Sequence, residues 1–207
     1  MLTNIQSLKS KVDELNLIIT AKNVDIVCLT ETWLSSEIED DLVNVSGYTL
    51  TRNDRLRRKG GGTALYIRKD INFVVRNIVG CMPPEIEGTF VDFPGFNMAI
   101  LCLYMPPRLN SATQNEAKIC IDDIIDNHAK DFPSRKMMVL GDFNDFDVTR
   151  ISDDHNFTDV VDKPTRGNNF LDHILICESQ LHVGLLEIGA RVTNRKIRSF
   201  VCCPFTE

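Results

Sequence analysis

The pattern of apolar and polar positions predicts a domain built from many short strands and two helices. Apolar residues recur at helical spacing over residues 8–19 and again over residues 117–128, which is typical of amphipathic helices. Short apolar runs, typical of buried strands, lie between and after these helices. They cover residues 24–29, 63–68, 71–79, 89–93, 97–104, 136–140 and 170–176, and a further apolar segment covers residues 181–188.

Two other stretches are predicted to be irregular. Three glycines at positions 60–62 precede a predicted strand and are not followed by Gly-Lys-Ser/Thr. They therefore indicate the flexible backbone of a hairpin and not a phosphate-binding P-loop. The stretch Ser-Asp-Asp-His at positions 152–155 is predicted to be a loop.

Composition and charge favour a single globular domain. The chain has 207 residues, of which 43% are hydrophobic and 25% charged, and its net charge is −6, which argues against a basic protein that coats nucleic acid. No apolar run approaches the ~20 residues of a membrane-spanning helix, so no membrane partner is expected. The seven cysteines form no Cys-x-x-Cys pair. Structural zinc is therefore not expected, and the predicted setting is reduced and intracellular, in the nucleus or cytoplasm.

The first candidate chemistry follows the apolar run at 136–140, where Gly141 leads to Asp142 and Asn144. Side chains two positions apart in a strand share a face, so these two would project together if the extended geometry continues past Gly141. A carboxylate that activates water, beside an amide that holds a phosphoryl oxygen, is what a phosphodiesterase needs. The alternative is a turn in which Asp and Asn bond their own backbone.

Polar side chains also stand at the ends of several other predicted strands. Residues at the same ends of neighbouring strands converge on one rim of a sheet, and hard oxygen ligands such as a glutamate carboxylate suit Mg²⁺. The assembly predicts metal-assisted phosphodiester hydrolysis. Besides Asp142 and Asn144, its members are Asn4, Glu31, Tyr104 and Asp172.

Six motifs occur in a defined order along the chain. They are Thr-Asn-Ile-Gln-Ser-Leu at 3–8, Asp-Ile-Val-Cys-Leu-Thr-Glu-Thr-Trp-Leu at 25–34, the segment at 47–52 that begins with Gly-Tyr together with the triple glycine at 60–62, Leu-Tyr-Met-Pro-Pro at 103–107, Leu-Gly-Asp-Phe-Asn at 140–144 and Pro-Thr-Arg-Gly-Asn-Asn-Phe-Leu-Asp at 164–172. This ordered set resembles the endonuclease domain of LINE-type (non-LTR) retrotransposons, a branch of the endonuclease/exonuclease/phosphatase superfamily. The resemblance implies an α+β fold, a four-layer αββα sandwich of the deoxyribonuclease type.

The resemblance also implies a role for each residue of the rim. Glu31 would hold Mg²⁺, with Mn²⁺ as the alternative ion, and Asn4 would arrange the groups on the metal side. Tyr104 would bond the scissile phosphate. Asp142 would position the attacking water, and Asn144 would steady the phosphoryl oxygen.

The chain departs from the family pattern at its C-terminal end. Family members close with Ser-Asp-His on a last strand, which supplies a carboxylate and a histidine that pairs with Asp172. Residues 190–194 here read Ala-Arg-Val-Thr-Asn, and no Asp-His pair follows. His173 is a poor substitute because it would point to the opposite sheet face from Asp172. The expected organisation is a family domain over residues 1–189, truncated at its last strand, and a divergent tail over residues 190–207.

Four residues are predicted to contact the substrate. By the same resemblance Thr165 would line the substrate side, with Arg166 beside it. Arg57 and Arg58 belong to a basic run over residues 52–59. This run either contacts phosphates or forms a solvated hairpin tip, and the residues favour neither alternative.

Together these features predict a Mg²⁺-dependent, DNA-nicking endonuclease domain of retrotransposon origin. DNA is the expected partner, and a reverse transcriptase domain is the expected neighbour in a longer product. The missing Ser-Asp-His favours an alternative, a catalytically inactive domain that binds nucleic acid or protein. A third hypothesis is a phosphatase of the same superfamily that acts on inositol phosphates or lipids. The stretch Thr-Arg-Gly-Asn-Asn at 165–169 argues against it.

Overall fold

The computed structural model describes residues 1–56, 58–78 and 80–177, together with the backbone of two strands at 184–188 and 199–203. Within these residues the helices are α1 (Val12–Ala21), α2 (Ser111–Asp131) and α3 (Thr149–His155). The strands are β1 (Leu2–Asn4), β2 (Ile26–Thr30), β3 (Tyr48–Asn53), β4 (Thr63–Arg68), β5 (Val74–Arg76), β6 (Glu87–Phe93), β7 (Met98–Tyr104), β8 (Lys136–Asp142), β9 (Phe157–Asp159), β10 (Asp172–Cys177), β11 (Gly184–Ile188) and β12 (Ser199–Cys203).

The strands form two mixed sheets of six strands each. The first sheet has the order β11-β12-β1-β2-β4-β3, and the second has the order β5-β6-β7-β8-β10-β9. Each sheet contains one parallel pair, β1 with β2 and β7 with β8, and its other neighbouring strands are antiparallel. The parallel pair lies in the interior of each sheet.

A central core fills the space between the two sheets. Successive strand residues point to opposite faces, and the inward-facing set includes Cys28 and Leu65 from the first sheet and Ile100 and Leu140 from the second. Because the strands are buried on both faces, they read as continuous apolar runs in the sequence.

Helices cover the outer face of each sheet. On the first sheet, α1 packs Leu15 and Ile19 against Val27 and Tyr66. On the second sheet, helices α2 and α3 contribute Ile121 and Ile151 to a cluster with Leu101 and Val139. The architecture is therefore the predicted αββα sandwich, and both predicted helices are confirmed. No helix in the described part of the chain is long and apolar enough to cross a membrane.

The loop predicted at residues 152–155 is wrong, because these residues belong to α3. Three contacts explain the helix, one from the preceding turn and two from within the helix. Asp147 Oδ1 accepts the Thr149 backbone N–H at 3.0 Å, which satisfies a donor of the first helical turn. Ile151 is fully buried, and His155 reaches Asp122 on α2 at 2.9 Å.

The strand predicted over residues 71–79 is shorter than expected. Strand β5 covers only Val74–Arg76 and pairs on one side, with β6. Its flanks pack inward instead of extending the ladder: Ile71 is buried and Phe73 contacts the central core.

The C-terminal part of the chain contributes strand β12 to the first sheet. It lies between β1 and β11, with Phe200 opposite Leu2 and Ser199 opposite Thr3. A strand thus occupies the place beside β1 where truncation was expected. The domain boundary at residue 189 stays a prediction.

A cluster of ion pairs around the buried Asp92 lies at the C-terminal end of β6. The Asp92 carboxylate is fully buried. It forms ion pairs with Arg76 and, at 2.8 Å, with Arg135, and its Oδ1 lies 2.7 Å from His128 Nε2. Both guanidinium groups lie over the Phe132 ring, at 4.7 Å from its centre for Arg76 and 4.2 Å for Arg135. The cluster therefore ties β5 and β6 to the end of α2.

Replacing Asp92 by alanine is expected to lower the free energy of unfolding by about 2–4 kcal/mol, because it leaves the partly buried Arg76 and Arg135 and the buried His128 without their carboxylate partner. Urea denaturation measures the change. Asp70→Ala is the control, since Asp70 pairs with Arg68 in an exposed position and such pairs contribute little. Equal losses in the two variants would contradict the assigned role of the cluster.

Candidate active site

Strand ends from both sheets meet at one rim of the sandwich. Strands β1, β2, β7 and β8 end there, and the antiparallel strands β4, β6, β10 and β12 begin there. In the first sheet the register places Asn4 opposite Thr30, and Thr30 opposite Thr63. In the second sheet the row across the rim is Glu87, Tyr104, Asp142 and Asp172.

A hydrogen bond at this rim joins the two sheets. Asn4 Nδ2 donates to Asp142 Oδ2 at 2.6 Å, although 138 positions separate the two residues in the chain. The predicted convergence of residues from distant strands is therefore observed for this pair. Asn4 thus holds the Asp142 carboxylate, and its role in arranging the groups on the metal side stays a prediction.

Asp142 is a buried carboxylate with a strongly raised pKa. Only 4% of the residue is exposed, and this burial is the largest cause that raises its pKa to about 7. Repulsion from Asp172 and from Glu31 raises the pKa further, whereas the hydrogen bonds from Asn4 and from the Asn144 backbone lower it. Negative charge at this rim is therefore only partly compensated by the protein.

Asn144 does not continue the strand, so the condition for a shared strand face is not met. Strand β8 ends at Asp142, and Asn144 adopts a left-handed backbone with a φ of 50°. Its backbone N–H donates to Asp142 Oδ1 at 3.2 Å, and its Nδ2 donates to the Met105 carbonyl at 2.7 Å. The backbone turn considered as the alternative is thus present, and it keeps Asn144 beside Asp142.

Glu31 and Tyr104 contact each other at the same rim. Glu31 has a left-handed backbone with a φ of 57°, and its Oε2 accepts from Trp33 Nε1 and from the Gly61 N–H at 3.3 Å. Tyr104 is 3% exposed, and burial, followed by its hydrogen bond with Glu31, raises its pKa well above the usual range. Glu31 and Asp142 therefore lie on the same side of the molecule.

Thr165 holds the segment that leads into Asp172. The threonine is 1% exposed, and its Oγ1 accepts the Leu171 and Asp172 backbone N–H groups at 2.9 and 3.1 Å. Arg166, next to it, is exposed and pairs with Asn169 in an isolated bridge. Substrate contact by Thr165 or Arg166 stays a prediction.

His173 lies on the opposite sheet face from Asp172, as predicted. Its Nδ1 is 2.6 Å from Asp159 Oδ2, and its ring meets Phe143 edge-on at 5.7 Å. Phe143 belongs to the core beneath α2 and α3. His173 therefore packs against that core, on the sheet face away from Asp172, and does not lie where the family histidine is expected.

The basic run at 52–59 divides into internal and exposed residues. Arg52 donates to the Ile38 carbonyl at 2.7 Å and pairs with Asp40 at 3.0 Å, whereas Arg58 is exposed. Arg57 lies outside the described residues. Phosphate contact by Arg57 and Arg58 stays a prediction.

Sequence reasoning missed two residues of the rim, Arg55 and Glu87. Arg55 donates to both carboxylate oxygens of Glu87, at 2.6 and 2.8 Å, and its Cζ lies 5.2 Å from the centre of the Tyr104 ring. Arg55 belongs to the basic run at 52–59, whose composition indicated an exposed segment. The sequence feature that could have indicated a buried ion pair is Glu87, a charged residue at the start of an apolar strand.

The residues at the rim fit a divalent cation. The Asn4 Oδ1 atom is buried and has no hydrogen-bond partner, so an acceptor is left for a ligand. The described residues contain no group of three or more His, Cys, Asp or Glu side chains arranged to hold a metal. A site with few protein ligands suits Mg²⁺, which keeps several waters and binds through one or two carboxylates and substrate phosphate.

Thr165→Val is expected to destabilise the protein by about 1–3 kcal/mol, because the Leu171 and Asp172 N–H groups lose their acceptor. Thr165→Ser retains the oxygen and is the matched control. Urea denaturation of both variants separates the effect of losing the hydroxyl oxygen from the effect of losing the methyl group. A loss in the serine variant as large as in the valine variant would assign the effect to the methyl group instead.

In metal-free protein, Asp142 is expected to make stability fall as pH rises. Its pKa is about 7 in the folded state against an ordinary 3.8, so the folded state binds more protons between these values. The free energy of unfolding, measured relative to Asp142→Asn, should therefore drop by about 2–3 kcal/mol between pH 5 and pH 8. Denaturation in EDTA at both pH values tests this, and parallel profiles for the two proteins would contradict it.

Comparisons with known proteins agree with this architecture. The 3′ phosphatase NExo from Neisseria, solved with a product DNA hairpin, has 14% identity and a TM-score of 0.63, and the match covers 96% of this chain and 98% of that one. A mannosyl-6-phosphatase from Bacteroides thetaiotaomicron has 12% identity and a TM-score of 0.64, with 97% of each chain covered. The endonuclease domain of TRAS1, a telomere-specific non-LTR retrotransposon, has 12% identity and a TM-score of 0.66, with coverage of 97% and 94%.

These identities are low, so the structural matches establish the fold alone. A search of curated proteins found no match. The sequence model of the endonuclease/exonuclease/phosphatase family matches residues 1–190, which is most of the chain. This chain belongs to the endonuclease/exonuclease/phosphatase family.

Proposed function

We propose that the chain is a Mg²⁺-dependent endonuclease domain of non-LTR retrotransposon type that nicks DNA by phosphodiester hydrolysis. It would act inside the cell, in the nucleus or cytoplasm, beside a reverse transcriptase domain of a longer product. The observation that carries the proposal is the hydrogen bond between Asn4 and Asp142, around which Glu31, Tyr104 and Asp172 gather. The ordered motifs and the likeness to the TRAS1 endonuclease domain support the choice within the family.

The attacking water would be oriented by Asp142. Its carboxylate is held at one oxygen by the Asn4 amide and at the other by the Asn144 backbone N–H, so it has a defined direction before substrate arrives. A carboxylate fixed in this way can accept a proton from water as the water oxygen bonds to phosphorus. The ester bond from phosphorus to the leaving sugar oxygen breaks in the same displacement, and that oxygen takes a proton from solvent. The Asn144 amide has a second hydrogen that does not go to the Met105 carbonyl, and it would donate this hydrogen to a phosphoryl oxygen as charge develops there. Tyr104 would donate to the phosphate by turning its O–H away from Glu31.

The metal would be held by Glu31 and by the Asn4 Oδ1 atom, with Mn²⁺ able to take the place of Mg²⁺. When bound, the cation supplies positive charge opposite the developing phosphorane charge. The Glu31 carboxylate is already oriented in the metal-free protein, because Trp33 Nε1 and the Gly61 N–H both donate to its Oε2 atom. The buried oxygen of Asn4 gains the partner that the protein itself does not provide.

One observation favours a second candidate, a catalytically inactive domain that binds nucleic acid or protein. Strand β12 lies beside β1 at the rim, and its sequence, Ser-Phe-Val-Cys-Cys, contains neither aspartate nor histidine. Asp172 thus receives no histidine from this strand. Loss of one member of a group that acts as a unit can lower a rate by several orders of magnitude, as in serine proteases.

A plasmid-nicking assay tests the proposal. Supercoiled plasmid incubated with the protein and Mg²⁺ is expected to become open circular, and Asp142→Ala is expected to slow this at least about 100-fold because the oriented carboxylate is lost. Asp153→Ala is the matched control, since Asp153 is an exposed aspartate on α3 and its loss should leave the rate unchanged.

The outcomes separate the candidates. Equal nicking by the wild type and by Asp142→Ala would identify a contaminating nuclease and refute the proposed activity. Retained binding of the same DNA in EDTA would then support the inactive binding domain. Release of phosphate from a phosphomonoester without any nicking would instead favour a phosphatase.

A further inference from the structure

We propose that Arg55 and Glu87 are a positioning pair, which orients Glu31 for binding the divalent cation, both through the glycine segment and through Tyr104, the residue that bonds Glu31. The inference rests on the proposed function and adds two residues that act through others at the same rim. Neither residue is expected to touch the metal or the phosphate. Their effect would pass through direct contacts to the glycine segment at 60–62 and to the Tyr104 ring.

The pair itself has the geometry of a strong, directed interaction. Arg55 Nε lies 2.6 Å from Glu87 Oε1 and its second terminal nitrogen lies 2.8 Å from Oε2, so the contact is bidentate. The same nitrogen donates to the Glu85 carbonyl at 3.1 Å. The two side chains are only 9% and 5% exposed, so the guanidinium plane is held in one orientation.

One route leads from Arg55 to Glu31 through Gly61. The guanidinium group packs directly on this glycine: a Cβ atom there would lie 2.5 Å from Arg55 Cζ, and the backbone φ of 69° is one that side chains disfavour. The Gly61 N–H donates to Glu31 Oε2, and its carbonyl accepts the Trp33 N–H at 3.0 Å. Movement of Arg55 would therefore move a group that orients the Glu31 carboxylate.

A second route leads from the pair to Tyr104. Glu87 lies opposite Tyr104 in the antiparallel register, and Arg55 stacks over the Tyr104 ring at 5.2 Å from its centre. Glu87 Oε2, which accepts from Arg55, also accepts the Gly62 backbone N–H at 3.4 Å. The pair thus contacts both the segment that orients Glu31 and the tyrosine that bonds Glu31.

Arginine is required at this position for reasons of shape. A lysine would keep the positive charge but could neither bind both oxygens of Glu87 nor stack as a plane on Tyr104 and Gly61. Arg55→Lys therefore removes the orientation and keeps the charge. Arg76→Lys makes the same change in the ion pair with Asp92, at the far end of β6, and serves as the matched control.

The experiment uses the chain's single tryptophan as its probe. Trp33 is the only tryptophan in the sequence, and its indole N–H donates to Glu31, so its fluorescence should respond to metal at that carboxylate. Mg²⁺ alone is titrated into the full chain, and calorimetric titration gives an independent Kd. Arg55→Lys is expected to weaken Mg²⁺ binding about 10-fold or more, whereas Arg76→Lys should leave the Kd unchanged. Thermal melts report the stability of each variant.

Each result decides between the two proposals. If the wild type binds Mg²⁺ and Arg55→Lys binds it equally well, the positioning pair is refuted and the proposed function stands. Equal weakening by Arg55→Lys and Arg76→Lys would also refute it, because the cause would be general destabilisation. A wild type that binds no Mg²⁺ would refute the metal-dependent function and the inference with it. If Arg55→Lys does not fold, Glu87→Gln, which keeps the side-chain shape, replaces it with the same expected loss.

Discussion

The contact between Asn4 and Asp142 is the constraint on which the candidate site depends. Most of the interface between the two sheets is apolar, and apolar burial stabilises without setting a direction. The hydrogen bond of 2.6 Å from one sheet to the other does set a direction, and the Thr63 and Thr89 hydroxyls add a second contact between the sheets at 2.8 Å. The position of Glu31 relative to Asp142 follows from how the sheets are held together at this rim.

The balance of charge at the rim suits a cation. Asp172 and Glu31 each repel the buried Asp142 carboxylate, which contributes to the raised pKa of Asp142. Arg55 is nearby, but both oxygens of Glu87 already accept from it. The positive charge of Arg55 is therefore balanced mainly by Glu87, and Arg55 orients neighbouring groups more than it offsets the charge of Asp142, Asp172 and Glu31. A negative potential remains where the resemblance to the family implies a divalent ion.

Much of the fold could be predicted because its elements have strong local patterns. The long helix α2 and the doubly buried strands β7 and β8 show clear periodicity or unbroken apolar runs. The αββα arrangement was implied by the resemblance to a known family that the ordered motifs carry. Helix α3 was missed because seven residues offer too little periodicity, and it forms by anchoring Ile151 in the core. Strand β5 is short because an edge strand pairs on one side only.

The sequence by itself determined which polar residues stand at strand ends, and therefore which of them could share one rim. It also determined that residues 190–207 contain no Asp-His pair. Only the tertiary structure decided that Asn4 bonds Asp142, that Asn144 turns away from the strand, and that Thr165 holds a backbone segment. It alone revealed that Arg55, in a run that reads as surface, is a buried partner of Glu87. Such contacts join residues far apart in the chain, and they depend on how two sheets pack, for which no local periodicity exists.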